Sequence, residues 1–488
     1  MIPLSNLTLP NLPENVAAPG YDRTKLTPGI VHFGVGNFHR THLAVYVDRC
    51  LARGETDWAI IGVGLKPGGE AKAEAYRAQD GLYTVTEYAS DSGVSCRVIG
   101  AMTAYLNAPA EPEAVLAAIA APATKILSFT ITEGGYNLNE ETGEFELGTI
   151  TDLSGRPQSV FRFVVEGLKR RRRAGLGGVT LMSCDNLRSN GTVTRKAFLS
   201  FAEAYDPETA AWMEEFCRFP NSMVDRIAPK VGSAEAERAN AASGLADKLP
   251  SFAEDFIQWV IEDDFADGRP AFEKVGVELR SDVHAFEAIK GRMLNASHMM
   301  MCYPSVLMGH RVVDRAVADP RIRDLLLAFL DSVAIPLIAP PDGVSLKAYR
   351  DMILRRFSNP AVGDQVLRIC HDGVSKLPIF LSATTQETLE KGGDPTILAY
   401  HLACFRSYFF GMDDKKEMFE VIEPKLTVQD EAVVRDGTPL DFLGITPFAS
   451  LTLQKNDEFV TAFQKACHVI ENRGAGSAFA ELVAPLVY

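Results

Sequence analysis

Residues 287–302 read Glu-Ala-Ile-Lys-Gly-Arg-Met-Leu-Asn-Ala-Ser-His-Met-Met-Met-Cys, and four of them can do proton chemistry together: Glu287, Lys290, Asn295 and His298. The residues around them are mostly apolar, and the spacing predicts a helix. At 3.6 residues per turn the four fall within an arc of roughly 140°, with Arg292 outside it. A lysine held among Met and Leu side chains loses hydration, which disfavours its ammonium form and lowers its pKa. Such a lysine can serve as a general base near neutral pH. The alternative is a helix with a solvated polar stripe. Asn and His weigh against it, because a solvated stripe is more often built from Glu and Lys.

A second constellation lies near the start of the chain. Residues 29–33, Gly-Ile-Val-His-Phe, read as a short apolar strand. It runs into Gly34-Val35-Gly36-Asn37-Phe38-His39-Arg40, and a helix is expected from about residue 41 to 53. This is where a dinucleotide-binding fold puts its phosphate loop, with glycines that let the backbone approach a pyrophosphate. His39 replaces the third glycine of GxGxxG, so the pattern is weak and its position between strand and helix carries the reading. A second strand over 58–65 ends in Leu65-Lys66-Pro67-Gly68-Gly69-Glu70. The acid that would hold the adenosine ribose hydroxyls is missing, Lys66 stands near its place, and Glu70 is the nearest substitute. NAD and NADP therefore both stay open as cofactors. Tyr21-Asp22-Arg23-Thr24-Lys25 fits a YxxxK pattern but precedes the first strand, far from the helix that pattern needs, and is set aside.

The elements that must position these groups follow from hydrophobic period. Strands are expected over 82–88, 95–99, 125–132 and 178–183, and helices over 111–120 and 161–173. Apolar strands alternating with helices predict a parallel sheet covered on both faces. Polar clusters sit at strand ends: Thr130–Tyr136, Ser183–Leu187 and Asn221–Ile227. Ligands in open α/β sheets bind outside the carboxyl ends of strands, so these are candidate site walls, although polar residues also cap strands for ordinary reasons. Beyond residue 285 strand signals become scarce. Helices are expected over 287–310, 320–338, 346–356, 361–370, 387–410 and 456–486. The fold class is α/β, with a Rossmann-type dinucleotide-binding domain over 1–285 and a mostly helical domain over 286–488.

Composition narrows the partners. The 488 residues are 47% hydrophobic and 23% charged, an ordinary globular balance. A net charge of −14 argues against nucleic acid or an anionic membrane as partner. The basic run 169–173 precedes Ala174-Gly175 and reads as the cationic last turn of a helix. The eight cysteines have no metal-type spacing, which suits reduced thiols in the cytoplasm and gives no metal site. Neither a secretory signal nor a stretch of about 18 apolar residues is present.

Taken in order, seven motifs resemble the long-chain polyol-specific dehydrogenase/reductase family, of the mannitol 2-dehydrogenase and fructuronate reductase type. They are Gly34–His42, Thr132–Tyr136, Ser183–Asn186, Met223–Arg226, Lys290–His298, Arg356–Pro360 and Lys376–Pro378. The resemblance spans nearly the whole chain. It implies a site in the cleft between the two domains and zinc-independent hydride transfer between NAD(P) and a secondary alcohol. By match to the family motifs, Lys290 is the general base, and Asn186 and Asn295 hold the oxygen that becomes the carbonyl. Glu287 passes the proton from Lys290 to solvent. His298, Asp225, Arg368 and Lys376 contact substrate hydroxyls or a carboxylate. Gly34, Gly36, Asn37, Phe38, Lys66, Thr132 and Glu133 line the cofactor. The implied reaction is sugar alcohol to ketose, with D-mannitol and D-fructose the first pair. Fructuronate reduction and an arabinitol-type polyol are the alternatives, and a non-catalytic NAD-binding redox sensor is the remote one. The implied partner is a small polyol, ketose or sugar acid, and the expected state is a monomer or weak oligomer.

Overall fold

The computed structural model describes every residue except Ser92, Glu140, Glu141, Ile150, Thr151, Lys230 and Tyr488. The side chains of Glu133 and Thr149 also lie outside the described part. The chain divides into two compact units, Met1–His284 and Ala285–Tyr488. Among the described residues, no helix is long and apolar enough to cross a membrane.

In the first unit the strands are, in chain order, β1 (Ile2–Pro3), β2 (Val16–Ala17), β3 (Pro28–Phe33), β4 (Ala59–Gly64), β5 (Tyr83–Tyr88), β6 (Val94–Ile99) and β7 (Met102–Asn107). There follow β8 (Ile126–Phe129), β9 (Thr180–Ser183), β10 (Ser222–Asp225), β11 (Leu245–Ala246), β12 (Ser251–Glu254), β13 (Gln258–Ile261) and β14 (Glu278–Leu279). The helices are α1 (Asn37–Thr41), α2 (Leu43–Leu51), α3 (Glu70–Ala78), α4 (Pro112–Ala120), α5 (Val160–Arg173), α6 (Asn190–Tyr205), α7 (Pro207–Phe216) and α8 (Ser233–Ser243).

The central sheet is parallel throughout, in the order β7-β4-β3-β8-β9. The first of these strands in the chain, β3, lies in the middle. The chain builds outward on one side and then on the other, so the order reverses between β3 and β8. The expected parallel sheet is thus present, and its two-sided cover explains why its strands read as continuous apolar runs. Along β3, Val31 and Phe33 join the core that includes Ile119 of α4 and Phe163 of α5. Ile30 points to the other face, into the core that includes Leu43 and Val47 of α2.

Several elements differ from expectation for local reasons. The chain over 125–132 pairs only as β8, because Asp185 takes the amides of Ile131 and Thr132 out of the ladder. The helix expected at 41–53 starts earlier and bends at His42, where φ is −120° and ψ −88°. The strands near 82–88 and 95–99 are an antiparallel pair outside the central sheet, completed by β12 and β2. The basic run closes α5 as a helix end. Arg171 donates to the carbonyls of Ile119 and Ala121, and Lys169 pairs with Asp206 at 2.7 Å.

The second unit is helical. A continuous rod runs through α9 (Val283–Ile289), a π-helical segment Lys290–Asn295 and α10 (Ala296–Leu307). It is followed by α11 (Val313–Ala318), α12 (Pro320–Ala328), α13 (Leu346–Phe357), α14 (Val366–Cys370), α15 (Gly373–Leu377), α16 (Ala383–Glu390) and α17 (Thr396–Tyr408). The helix expected over 387–410 is two, broken at Gly392, whose φ is +67°, and Gly393. The one expected over 456–486 is broken at Gly474, where φ is +86°, and resumes as short helical segments over 475–486. The stretch 361–370 becomes helical only from Val366. Met299, Met300, Tyr303 and Val306 of α10 are buried at the centre of this unit's core, packed with Tyr400 and Phe405 of α17.

Candidate active site

The glycine loop leaves β3 at the point where the strand order reverses, which is where doubly wound sheets open a crevice at their carboxyl edge. Gly34 has φ +94°, and a Cβ there would lie 2.0 Å from the carbonyl oxygen of Thr130. The fold itself therefore requires this glycine. Gly36 is different. It is exposed, and a Cβ would meet nothing nearer than the Gly34 carbonyl at 3.7 Å. Packing does not demand a glycine there, whereas close approach of a phosphate does, so the loop fits a dinucleotide.

His39 takes over the packing role of the missing third glycine. Its ring is fully buried and stacks on His32 with centroids 3.6 Å apart. His32 Nδ1 lies 2.9 Å from Ser128 Oγ and Nε2 lies 3.0 Å from Thr130 Oγ1. Burial pushes the His32 imidazole down to about 3 and holds His39 well below the usual histidine range, so both rings are neutral. Asn37 is engaged within the protein: its Nδ2 donates to the Pro229 carbonyl at 2.9 Å and its Oδ1 accepts from Arg40 at 2.6 Å. Phe38 stacks on His42 at 4.7 Å. Lys66 is exposed on the turn between β4 and α3.

At the ends of β8 and β9 one carboxylate organises the wall. Asp185 accepts from the amides of Ile131 and Thr132 and from the Tyr136 hydroxyl, at 3.0, 2.9 and 2.8 Å. Thr132 stands at φ +68°, ψ 166°, a conformation L-residues rarely adopt. Glu133 opens the short helical turn Glu133–Tyr136, and its side chain lies outside the described part. Asn186, next after Asp185, is exposed. Asp225 ends β10 and is only 4% exposed. The adjacent Arg226 is locked by Glu87 at 2.6 Å and the Glu254 carbonyl.

In the second unit, Lys290 is 9% exposed and occupies the first position of the π-helical segment. Ile289, Met293 and Leu294 beside it are buried. π-Helical turns inside α-helices are uncommon and concentrate at functional sites. The segment also corrects the 140° arc, which assumed 3.6 residues per turn throughout. The wider turn rotates Asn295 and His298 relative to Glu287 and Lys290. Glu287, Asn295 and His298 are half-buried. The ring of His298 stacks on Phe357, at the end of α13, with centroids 4.1 Å apart. Arg292 binds Glu387 through both guanidinium nitrogens.

Arg368 and Lys376 are engaged elsewhere. Arg368 is 65% exposed and forms a bidentate pair with Asp364 at 2.6 and 2.7 Å. Lys376 donates to the carbonyls of His371 and Ile369, at 2.6 and 3.3 Å, and so caps the end of α14. Among the described residues no group of three or more His, Cys, Asp or Glu is placed to hold a metal ion. Sequence reasoning placed Asp185 and Thr130 in candidate site walls without giving either a role, and did not single out Lys72. For Asp185 the available signal was its place two residues past a strand end.

A parallel sheet of this order with a glycine loop at its switch point defines a Rossmann-type dinucleotide-binding unit, here followed by a helical unit carrying a buried lysine. The profile of the mannitol dehydrogenase Rossmann domain matches residues 28–274, and that of the mannitol dehydrogenase C-terminal domain matches 282–471. The chain belongs to the mannitol dehydrogenase family. It is 50% identical to the polyol:NADP oxidoreductase of Gluconobacter oxydans (strain 621H), over 86% of this chain and 87% of that one. A crystal structure of D-sorbitol dehydrogenase in substrate-free form superposes with a TM-score of 0.94 at 45% identity, covering 98% of this chain and 100% of the other. The Pseudomonas fluorescens mannitol 2-dehydrogenase, in ternary complex with NAD and D-mannitol, gives 0.85 at 34%, covering 98% and 99%.

Proposed function

We propose that the protein interconverts a sugar alcohol and its ketose with a nicotinamide dinucleotide, D-mannitol and D-fructose being the first pair to test. The observation that carries this is Lys290, buried and set at the head of a π-helical turn. A bound NAD(P) supplies the hydride acceptor. Lys290 takes the proton of the substrate hydroxyl as general base. The amides of Asn186 and Asn295 donate to the oxygen as it becomes alkoxide and then carbonyl. Glu287, three residues before Lys290 in the preceding helical turn, accepts the proton and returns the base to its working state. His298 and Asp225 bond other substrate hydroxyls. Gly34, Gly36, Asn37, Phe38, Lys66, Thr132 and Glu133 form the dinucleotide's surroundings, Asn37 and Thr132 by holding the backbone in shape.

The names of the similar proteins support a polyol as substrate. The uronate alternative asks for cations directed at a carboxylate. Arg368 pairs with Asp364 and Lys376 donates to backbone carbonyls, so a carboxylate would have to draw each cation from its present partner. The test is initial-rate assay of D-mannitol, D-sorbitol and D-arabinitol oxidation and of fructose, fructuronate and pentulose reduction, each with both cofactors. Turnover of one polyol–ketose pair is expected. Turnover of fructuronate alone, or dinucleotide binding without any turnover, contradicts the proposal, and the latter outcome supports a sensor instead.

A further inference from the structure

The first turn of α3 carries a cation that the site described above does not use. The ammonium of Lys72 reaches back to the glycine loop and donates to the carbonyl of Val35, between Gly34 and Gly36. It also lies 5.9 Å from the centre of the Tyr105 ring. The charge that acts on it is that of Arg40, which is buried and bound to the Leu249 carbonyl and Asn37. Among the described residues neither Lys72 nor Arg40 forms an ion pair with a carboxylate. Burial, and then the Arg40 charge, push Lys72 down to about 8. Two partly desolvated cations without a counter-charge are costly to hold together.

The surroundings fit the same reading. The turn Leu65–Gly69, between β4 and α3, holds Lys66 and no acid. Beneath it, a Cβ on Gly69 would lie 3.6 Å from Asn107 Oδ1. The Asn107 amide is buried, and among the described residues neither its oxygen nor its nitrogen has a hydrogen-bond partner. In doubly wound folds the space between the glycine loop and the end of the second strand receives the adenosine ribose, whose 2′-hydroxyl an acid would bind. Here the turn and the first turn of α3 supply Lys66 and Lys72, with Glu70 exposed at the head of α3 as the one acid in residues 65–72.

We propose that Lys72 is a specificity-determining residue that binds the 2′-phosphate of NADP(H), aided by Lys66 on the turn that leads into α3, and that the protein prefers the phosphorylated dinucleotide. This rests on the dinucleotide reading of the glycine loop and goes beyond it by naming the residue that selects between the two cofactors.

The experiment is direct titration of the wild-type protein, followed by calorimetry, with NADH, NADPH, 5′-AMP and 2′,5′-ADP, repeated with Lys72→Met and Lys72→Arg. In the wild type, 2′,5′-ADP is expected to bind at least about tenfold more tightly than 5′-AMP, the discrimination a charge-assisted phosphate contact gives. Lys72→Met is expected to bring the two within about twofold by weakening 2′,5′-ADP alone, and Lys72→Arg to keep most of the preference. Equal affinities in the wild type overturn the proposal whatever the variants do, including a variant that fails to fold. Equal weakening of NADH and NADPH in Lys72→Met, with the ratio of the two fragments unchanged, also overturns it, because the contact would then be to the shared pyrophosphate. Absence of binding by both dinucleotides refutes the glycine-loop reading itself, an outcome distinct from tight NADH binding without preference.

Discussion

Asp185 holds the amide of Thr132 at 2.9 Å, and Thr132 stands at φ +68°. The carboxylate, two residues beyond the end of one strand, fixes an unfavourable backbone conformation just past the end of its neighbour. The strain is sustained because Asp185 also binds Ile131 and Tyr136, at 3.0 and 2.8 Å. Asp185→Ala is expected to cost roughly 2–3 kcal/mol of stability, since it strands two amides and a buried hydroxyl. It should weaken dinucleotide binding at least about tenfold, as the segment 130–136 relaxes. Chemical denaturation and NADPH titration of the variant check both, and a variant that melts and binds like wild type removes Asp185 from the account.

The two loop glycines should separate cleanly. Gly34→Ala places a methyl 2.0 Å from the Thr130 carbonyl at φ +94°, so a loss of at least about 2 kcal/mol is expected. Gly36→Ala meets only ordinary van der Waals contact, with the Gly34 carbonyl at 3.7 Å, and its melting temperature should stay within about 2 °C of wild type. Its dinucleotide affinity should nevertheless fall, because the methyl occupies the exposed face of the loop. Unchanged affinity in Gly36→Ala means that no phosphate approaches there.

How much of this was legible in the sequence depends on the length scale of the cause. The strand–glycine–helix unit at 28–51 reads correctly because β3 is continuously apolar and Gly34 answers a local steric demand. The helical rod from 283 to 307 is also legible, but its π-helical segment is not. Its apolar periodicity is that of an ordinary helix, and no residue type in it marks the extra residue in the turn. The antiparallel sheet built on β5 and β6 was hidden because β12, its partner, comes from more than 160 residues away. The helix α6 opens with Asn190-Gly191-Thr192-Val193-Thr194, whose glycine and branched side chains mask a helical start. At 392–393 and 474, by contrast, the glycines were in plain view and should have ended the expected helices.

Glu423 gives a pH dependence whose sign can be worked out. It accepts the amides of Gly373 and Val374, at 2.9 and 3.0 Å, and so anchors the start of α15. Burial raises it from 4.5 to about 7, against the lowering effect of those amides and of Lys376, while Asp372 nearby adds to the rise. Between about pH 4.5 and 7 the folded protein then binds the extra proton, so this residue's contribution to stability falls as pH rises through that window. Melting temperatures from pH 4.5 to 8 should fall more steeply for wild type than for Glu423→Gln. Parallel curves contradict the assignment.

Glu287 is assigned to relay the proton from Lys290. Glu287→Gln should slow polyol oxidation roughly ten- to a hundredfold and alter the alkaline limb of the kcat profile, with dinucleotide affinity unchanged. An unchanged rate and an unchanged limb would remove the relay and leave the base itself untouched.

The central claim is that Lys290 is the general base. Its most direct test is kcat for oxidation of the preferred polyol by Lys290→Ala, at saturating cofactor, alongside a titration of that cofactor. The account predicts a loss of about 10²- to 10⁴-fold in kcat with cofactor affinity preserved. Wild-type turnover in Lys290→Ala contradicts it.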